Sequence, residues 1–220
     1  MRRVLVLRPK PGATRTVHNA RACGLDAIAV PLFEIEPIAW SSPDPSGFDG
    51  LLLTSANAVR QAGPQLERLR GLPVYAVGEA TATAAHEAGL EITTTGSGNA
   101  EQLLSSIKPD LKLLHLCGED RVEPGADQSI TAVPVYRARA TDTPDLDNAA
   151  GVVALIHSPR AGRRFAELAT DRGSIAIAAI SDAAAEAVGG GWESVDSADQ
   201  PTEEALLALA ARLCNKPAPE

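Results

Sequence analysis

Residues 51–59 read LLLTSANAV, and residues 154–162 read ALIHSPRAG, a stretch of the same character 103 positions later. The same offset places VYAVGEATA (74–82) over IAAISDAAA (177–185), EQLL (101–104) over EALL (204–207), and AVP (29–31) over AVP (132–134). The strand-like runs VLVLRP (4–9) and LLHLCG (113–118) align only after a six-residue adjustment. A period this long exceeds the roughly 20–50 residues of solenoid repeats, so it indicates two copies of a domain-sized unit. Two similar lobes imply a cleft between them, where small molecules commonly bind.

The composition favours a globular protein that binds a small molecule. The chain has 220 residues, 45% of them hydrophobic and only 3% aromatic, and a formal net charge of −8. The acidic charge and the few aromatic residues argue against nucleic acid and against an anionic membrane as partners. Local arginines and backbone amides can still bind an anionic small molecule.

The cysteines and the N-terminus indicate a reducing, cytoplasmic environment. Cys23, Cys117 and Cys214 are odd in number and far apart, which is typical of reduced thiols. The N-terminal apolar run VLVL is too short for a signal peptide, and no apolar run of 18 residues occurs. We therefore expect a cytoplasmic protein.

Short apolar runs alternate with helical patterns along the chain. We predict strands at 4–8, 27–33, 50–55, 73–78, 91–95, 112–117, 131–138, 152–158, 174–180 and 193–197. Continuous apolar runs of this length are typical of parallel strands covered on both faces. Helical stretches include 56–69, 79–90, 100–107, 159–169 and 201–213, with Gly89 and Gly173 as expected C-terminal stops. The fold class is thus α/β, with two similar doubly wound, flavodoxin-like parallel-sheet lobes.

Two segments interrupt this alternation. PLFEIEPIAW (31–40) and PVYRARATDTP (134–144) are extended and occupy equivalent places in the repeat. We interpret residues 34–38 and 133–139 as a two-stranded linker. Lobe one is then discontinuous, formed by 1–33 and 140–220, and lobe two spans 39–132.

Most common catalytic motifs are absent. The chain has no P-loop, no G-x-G-x-x-G after a strand, no H-E-x-x-H, no G-x-S-x-G and no acidic metal cluster. The four histidines, at 18, 86, 115 and 157, lack ligand spacing and are better explained by packing or surface positions. Nucleophilic hydrolysis and metal catalysis are therefore both poorly supported.

The strand-to-helix turns are the best binding candidates. TSAN (54–57), GEAT (78–81), GSGNAE (96–101), CGEDR (117–121) and HSPR (157–160) follow predicted strands, at the edge where open α/β sheets bind ligands. Small polar residues there leave helix N-terminal amides open to carboxylates or phosphates. The alternative is that Ser, Thr and Asn serve only as helix N-caps.

Tyr136 is one of only two tyrosines and lies in a predicted linker strand. Its phenol could project into the cleft and donate or accept a proton, or its ring could pack between lobes. Arg160, Arg163 and Arg164 lie at helical spacing, so part of this cluster forms a solvated face.

At these residues the chain resembles the uroporphyrinogen-III synthase family. The resemblance runs through VLVLRP with Arg8-Pro9, AIAVPLFEIEP, LLLTSANAV, YAVGEATATAAHEAGL, SGNAEQLL, VPVYRA, HSPRAGRRF and PTEEALLAL. Each motif alone is weak, but their order and spacing together are specific.

The resemblance implies two α/β lobes joined by a two-stranded linker, and a cofactor-independent lyase. Its reaction is dehydration, inversion of the last pyrrole ring and cyclisation of hydroxymethylbilane, a linear tetrapyrrole with eight carboxylates, to uroporphyrinogen III in heme biosynthesis. It implies a monomer, with at most transient contact with the preceding pathway enzyme. By the family pattern Tyr136 is the catalytic acid. The expected substrate-binding residues are Arg8, Ser55, Asn57, Thr81, Gly98, Asn99, Gly118, Ser158, Arg160 and Ser181.

The chain departs from the family pattern in its second copy. The counterpart of Thr81 is Ala184, so a hydroxyl is absent there, and Asp182 adds a negative charge. Two rival functions stay open: a non-catalytic two-lobed protein that binds an anionic metabolite, and a flavodoxin-like nucleotide enzyme.

Overall fold

The secondary structure comes from a computed structural model that describes residues 2–96, 99–121, 124–146 and 149–215. The strands of this part of the chain are β1 Val4–Val6, β2 Ala27–Ala29, β3 Phe33–Pro37, β4 Gly50–Leu53, β5 Val74–Val77, β6 Ile92–Gly96, β7 Lys112–Gly118, β8 Ser129–Ala140, β9 Val153–Ile156, β10 Ala176–Ala179 and β11 Ser194–Ser197. The α-helices are α1 Gly12–Ala22, α2 Ala56–Gln61, α3 Glu79–Glu87, α4 Ala100–Ser105, α5 Pro159–Leu168, α6 Asp182–Glu186 and α7 Glu203–Asn215. Short 3-10 helices cover Pro45–Gly47, Gly63–Leu69 and Arg172–Ser174. All ten predicted strands are present.

The chain divides into two compact units. The first combines Met1–Glu34 with Ala140–Glu220, and the second is Ile35–Arg139. The chain leaves the first unit within β3 and returns to it within β8.

The first unit has a five-stranded sheet in the order β2-β1-β9-β10-β11. All of its neighbouring strands pair in parallel. Numbered by their sequence in this unit, the strands follow the order 2-1-3-4-5 of flavodoxin-like folds, which confirms the predicted fold class.

The second unit has a six-stranded sheet in the order β6-β5-β4-β7-β8-β3. The first five strands in this order, which are β6, β5, β4, β7 and β8, pair in parallel with their neighbours. With β7 and β8 taken as the first two strands, the order is again 2-1-3-4-5, but the chain enters at the third strand. The N-terminal strands of the two copies align at a different offset because the connection between these first two strands is shorter here: Leu113 pairs with Ile130, whereas Val4 pairs with Ala27 in the first unit.

The 103-residue offset recurs in the helix starts. Helices begin at 56 and 159, at 79 and 182, and at 100 and 203. At the first of these pairs the residue before the helix, Ser55 or Ser158, is an N-cap with extended backbone. The two copies therefore share their strand-to-helix turns and not only their general alternation of elements.

The sheet cores consist of continuous aliphatic runs. All four residues of β4, β9 and β10 are buried. Leu51 and Leu53 pack in one cluster of the second unit, and Leu52 packs in another on the opposite face. Each fully buried Leu contributes about 2–3 kcal/mol of transfer free energy, so strands covered on both faces hold each unit together.

Three details of the sequence prediction need correction. The predicted helix over 56–69 breaks after α2, because Gly63 adopts a left-handed φ of 63° and Pro64 has no N–H to continue the helix. Gly173 does not stop α5, which ends at Leu168, and instead lies in a 3-10 helix. Helices α1 and α6 are not among the predicted helical stretches.

Candidate functional site

In a sheet of order 2-1-3-4-5, ligands bind at the carboxyl ends of strands 1 and 3, where neighbouring connections leave in opposite directions. In the first unit this switch point lies where β1 and β9 end, and it is followed by Arg8 and Ser158. In the second unit it lies where β7 and β4 end, at Gly118 and Ser55. Each switch point thus carries two of the predicted binding residues.

Tyr136 and Gly118 are in close contact in the second unit. The register between β7 and β8 shifts after Cys117, so that Gly118 faces Tyr136. A Cβ atom on Gly118 would lie 2.9 Å from Cζ of Tyr136 and 3.1 Å from its hydroxyl oxygen. Only glycine leaves space for the phenol to lie against this strand end. The ring is half-buried, and the Tyr136 carbonyl accepts a hydrogen bond from the Glu119 N–H at 2.8 Å.

Four predicted binding residues are helix N-caps: Ser55, Asn99, Ser158 and Ser181. Each side-chain oxygen accepts a backbone N–H two or three residues later, at 2.9–3.4 Å. Capping therefore explains their presence structurally, as the alternative interpretation held. A capping hydroxyl still carries its own O–H, and a capping Asn its NH₂, so the donors that an anion requires are not used by the cap.

The remaining predicted residues of the second unit differ in accessibility. Asn57 is half-buried in the first turn of α2, next to the Ser55 cap. Thr81 is only 5% exposed, in the first turn of α3, and its repeat counterpart Ala184 is fully buried. The hydroxyl that is absent at Ala184 would therefore lie in a packed position and not on an exposed surface. Gly98 lies outside the described residues.

Arg8 of the first unit lies against the start of α1. Its guanidinium packs over the backbone of Gly12, where a Cβ would be 2.6 Å from Nε, and lies 3.7 Å from the Glu203 carboxylate. Burial lowers the pKa of Arg8, while Glu203 acts in the opposite direction. Arginine remains charged even so, and Arg8 places a cation beside β1.

Arg160 stacks on an aromatic ring. Its Cζ lies 4.4 Å from the centroid of Phe33, within cation–π distance. Phe33 is the repeat counterpart of Tyr136, 103 residues earlier. One copy therefore uses this aromatic position to hold an arginine, and the other presents a phenol against Gly118.

His115, which we predicted to be a packing or surface residue, has a side-chain partner that the sequence did not reveal. His115 is 2% exposed in β7, and its Nε2 lies 3.0 Å from Oγ1 of Thr54, the residue after β4. Burial, with a smaller effect of Arg121, lowers the pKa of His115 to about 4. The one available signal was a histidine inside the apolar run KLLHLC.

His157 of the first unit is also shielded from solvent. Burial, followed by the charge of Arg8, lowers its pKa to about 3. The Leu155 carbonyl raises the pKa by a smaller amount, although it is too poorly placed to accept a hydrogen bond from the ring. Neither ring nitrogen has a hydrogen-bond partner among the described residues. His157 is therefore a neutral imidazole at physiological pH.

The described residues contain no group of three or more His, Cys, Asp or Glu side chains placed to hold a metal ion. Of the helices in the same part of the chain, none has the length and hydropathy that crossing a bilayer requires. Cys23, Cys117 and Cys214 are free thiols.

Three proteins that this chain is similar to are each described as a uroporphyrinogen-III synthase or synthetase. A uroporphyrinogen-III synthase from Chlorobaculum parvum is 34% identical over 119 residues, which cover 50% of this chain and 48% of that relative. The match thus spans about half the length of the curated relative. The crystal structure of uroporphyrinogen-III synthetase from Helicobacter pylori has a TM-score of 0.68 at 18% identity, covering 97% of this chain and all of the other. A mutant uroporphyrinogen III synthase from Thermus thermophilus has a TM-score of 0.52 at 17% identity, covering 98% of this chain and all of the other.

These structures share the fold, and the sequence match decides the family. The model of the family described as uroporphyrinogen-III synthase HemD matches residues 14–208, from α1 into α7. The chain therefore belongs to the uroporphyrinogen-III synthase family.

Proposed function

We propose that this protein is a uroporphyrinogen-III synthase that dehydrates hydroxymethylbilane, inverts its last pyrrole ring and closes the macrocycle. Family membership sets the reaction class. The observation that carries the proposal within this chain is the Tyr136 phenol against Gly118, at the carboxyl end of β7. The proposal is supported because a phenol can donate a proton and this one lies at the edge where sheets of this order bind ligands.

The first chemical step is the loss of hydroxide from the terminal carbon of the substrate. The C–O bond breaks, the Tyr136 phenol supplies a proton and water leaves, while the electron-rich terminal pyrrole stabilises the cation. The unsubstituted carbon of the inverted pyrrole then bonds to the methylene carbon that closes the macrocycle and loses its own proton, which restores the phenol. The net reaction thus loses one water.

Ring inversion and closure require the flexible chain to be held folded, which is catalysis by positioning. The substrate carries eight carboxylates, and the capping hydroxyls of Ser55 and Ser158 can donate hydrogen bonds to such groups. Arg8 and Arg160 add positive charge in the first unit. These local donors bind an anion in spite of the net charge of −8.

The net reaction changes no oxidation state, so acid catalysis and positioning are sufficient. We therefore propose a cofactor-independent lyase.

Turnover of hydroxymethylbilane, with the product isomers separated by chromatography, tests the proposal. We expect uroporphyrinogen III. Formation of uroporphyrinogen I alone, which is the spontaneous product, would refute the assignment and favour a non-catalytic binding protein. The Gly47→Ala variant is a control for glycine substitution as such, and it should turn over hydroxymethylbilane like the wild type, because a Cβ at Gly47 meets no atom within 4 Å.

A further inference from the structure

The contact between Thr54 and His115 lies at the switch point of the second unit. His115 pairs with Leu52 in the register of β4 and β7, and Thr54 follows two residues later on the same face of the strand. His115 is buried, whereas Thr54 is partly exposed. The pair therefore joins a buried ring to a hydroxyl at the ligand-binding edge of the sheet.

The unpaired nitrogen of His115 decides the direction of this hydrogen bond. Nδ1 is buried without a partner among the described residues. An orphaned buried N–H is rarer than an under-satisfied acceptor, so the proton is assigned to Nε2. Nε2 then donates to Oγ1 of Thr54, and the Thr54 hydroxyl must direct its own hydrogen elsewhere.

The internal repeat shows that this arrangement is specific to one copy. The residue 103 positions after Thr54 is His157, and the strand residue in the place of His115 is Val6, which pairs with Leu155. No ring nitrogen of His157 has a partner among the described residues. At these equivalent positions the second unit therefore holds a hydroxyl with an imidazole, whereas in the first unit a histidine stands in the place of the threonine and has no hydrogen-bond partner among the described residues.

We propose that His115 is a positioning residue that holds Thr54 so that its hydroxyl donates to a substrate carboxylate. The inference rests on the proposed function, because the carboxylate is one of the substrate's. His115 is too buried to contact the substrate itself and acts through Thr54. The bond stays the same throughout the neutral pH range, because the ring is uncharged there.

A double-mutant cycle on steady-state turnover of hydroxymethylbilane tests this role. Thr54→Val removes the hydroxyl and keeps the shape of the side chain, and Thr54→Ser restores the hydroxyl. His115→Leu removes the ring nitrogens from a buried site, and His115→Gln can place an amide N–H near the position of Nε2. We expect Thr54→Val and His115→Leu each to raise KM on the order of tenfold, the effect of one hydrogen bond, with kcat nearly unchanged. The Ser and Gln variants should stay close to wild type.

The combined variant distinguishes positioning from a structural role. If His115 acts through Thr54, His115→Leu raises KM no further in the Thr54→Val background. Equal increases in both backgrounds, or a fall in kcat without a change in KM, overturn the inference. If His115→Leu does not fold, the Thr54→Val and Thr54→Ser pair still decides whether the hydroxyl binds substrate. A wild-type protein that makes only uroporphyrinogen I refutes the proposed function and with it this inference.

Nitrogen NMR of His115 in the unmodified protein gives a readout that does not depend on turnover. We expect a neutral ring with its proton on Nε2 at neutral pH. A proton on Nδ1 overturns the assigned direction of the bond and the inference drawn from it.

Discussion

Acid should destabilise each unit of this protein through one histidine whose ring nitrogens are shielded from solvent. Folding lowers the pKa of His115 to about 4 and that of His157 to about 3, from 6.5 in the unfolded chain. In both cases the unfolded state binds the proton first. The contribution of each histidine to the free energy of unfolding is therefore fully present above pH 6.5 and falls as the pH drops below 6.5. It is lost once the pH is below the pKa of the histidine in the folded state.

The size of the loss follows from these pKa values. Between pH 7 and pH 5 each histidine should lower the free energy of unfolding of its unit by about 2 kcal/mol. Total stabilities of domains are about 5–15 kcal/mol, so this loss is large enough to measure. Carboxylates also titrate in this range, so the contribution of a histidine is the difference between wild type and a variant that lacks it.

The two tryptophans allow each unit to be followed separately. Trp40 belongs to the second unit, where its Nε1 donates to the Ala62 carbonyl at 2.8 Å. Trp192 belongs to the first unit and stacks on Phe165 with ring centroids 5.3 Å apart. Urea unfolding of a Trp192→Phe protein, monitored by the fluorescence of Trp40, therefore reports the second unit.

In this background His115→Leu should reduce the loss of stability between pH 7 and pH 5 by about 2 kcal/mol. His86→Gln, an exposed histidine of the same unit, is the matched control and should leave the loss unchanged. An equal loss in the His115→Leu protein and its parent would refute the reasoning, because the ring would then titrate alike in both states.

Three further predictions concern catalysis and packing. Tyr136→Phe should lower kcat by about 100-fold or more with little change in urea midpoint, and wild-type rates would exclude the phenol as the acid. Gly118→Ala should lower turnover by on the order of tenfold or more, because its Cβ displaces the Tyr136 ring, whereas Gly47→Ala should have no effect on the same assay. Arg2→Ala should cost about 3 kcal/mol in urea unfolding, because the Arg2 side chain is only 13% exposed and the Glu193 carboxylate loses both of the hydrogen bonds that Arg2 donates to it. Removing the exposed Arg3 pair should cost less than about 1 kcal/mol, and equal losses would contradict the burial argument.

The strands and most helix starts could be predicted from the sequence because their signals are local. A run such as GLLL is buried on both faces of the sheet, so apolar residues follow one another there without alternating with polar ones. Ser55 and Ser158 both precede a helix and cap it, so the repeat offset also locates the helix starts. Helix α1 lacks this signal, because Pro11 at its N-cap provides no side-chain hydrogen bond.

The site could be predicted only in part, because its contacts join residues that are distant in sequence. Thr54 meets His115 through the register of β4 and β7, which the strand sequences do not specify. Likewise Gly118 meets Tyr136 through a register shift at the end of β7. Sequence reasoning selected Tyr136 and Gly118 as separate candidates, and the structure adds that one accommodates the other.

We propose that this chain directs the closure of a linear tetrapyrrole. The most direct test is the isomer ratio from hydroxymethylbilane at increasing concentrations of gel-filtered, chelator-treated protein. We predict that uroporphyrinogen III replaces uroporphyrinogen I as the protein concentration rises, without any added cofactor. A product that stays uroporphyrinogen I at every protein concentration would contradict it.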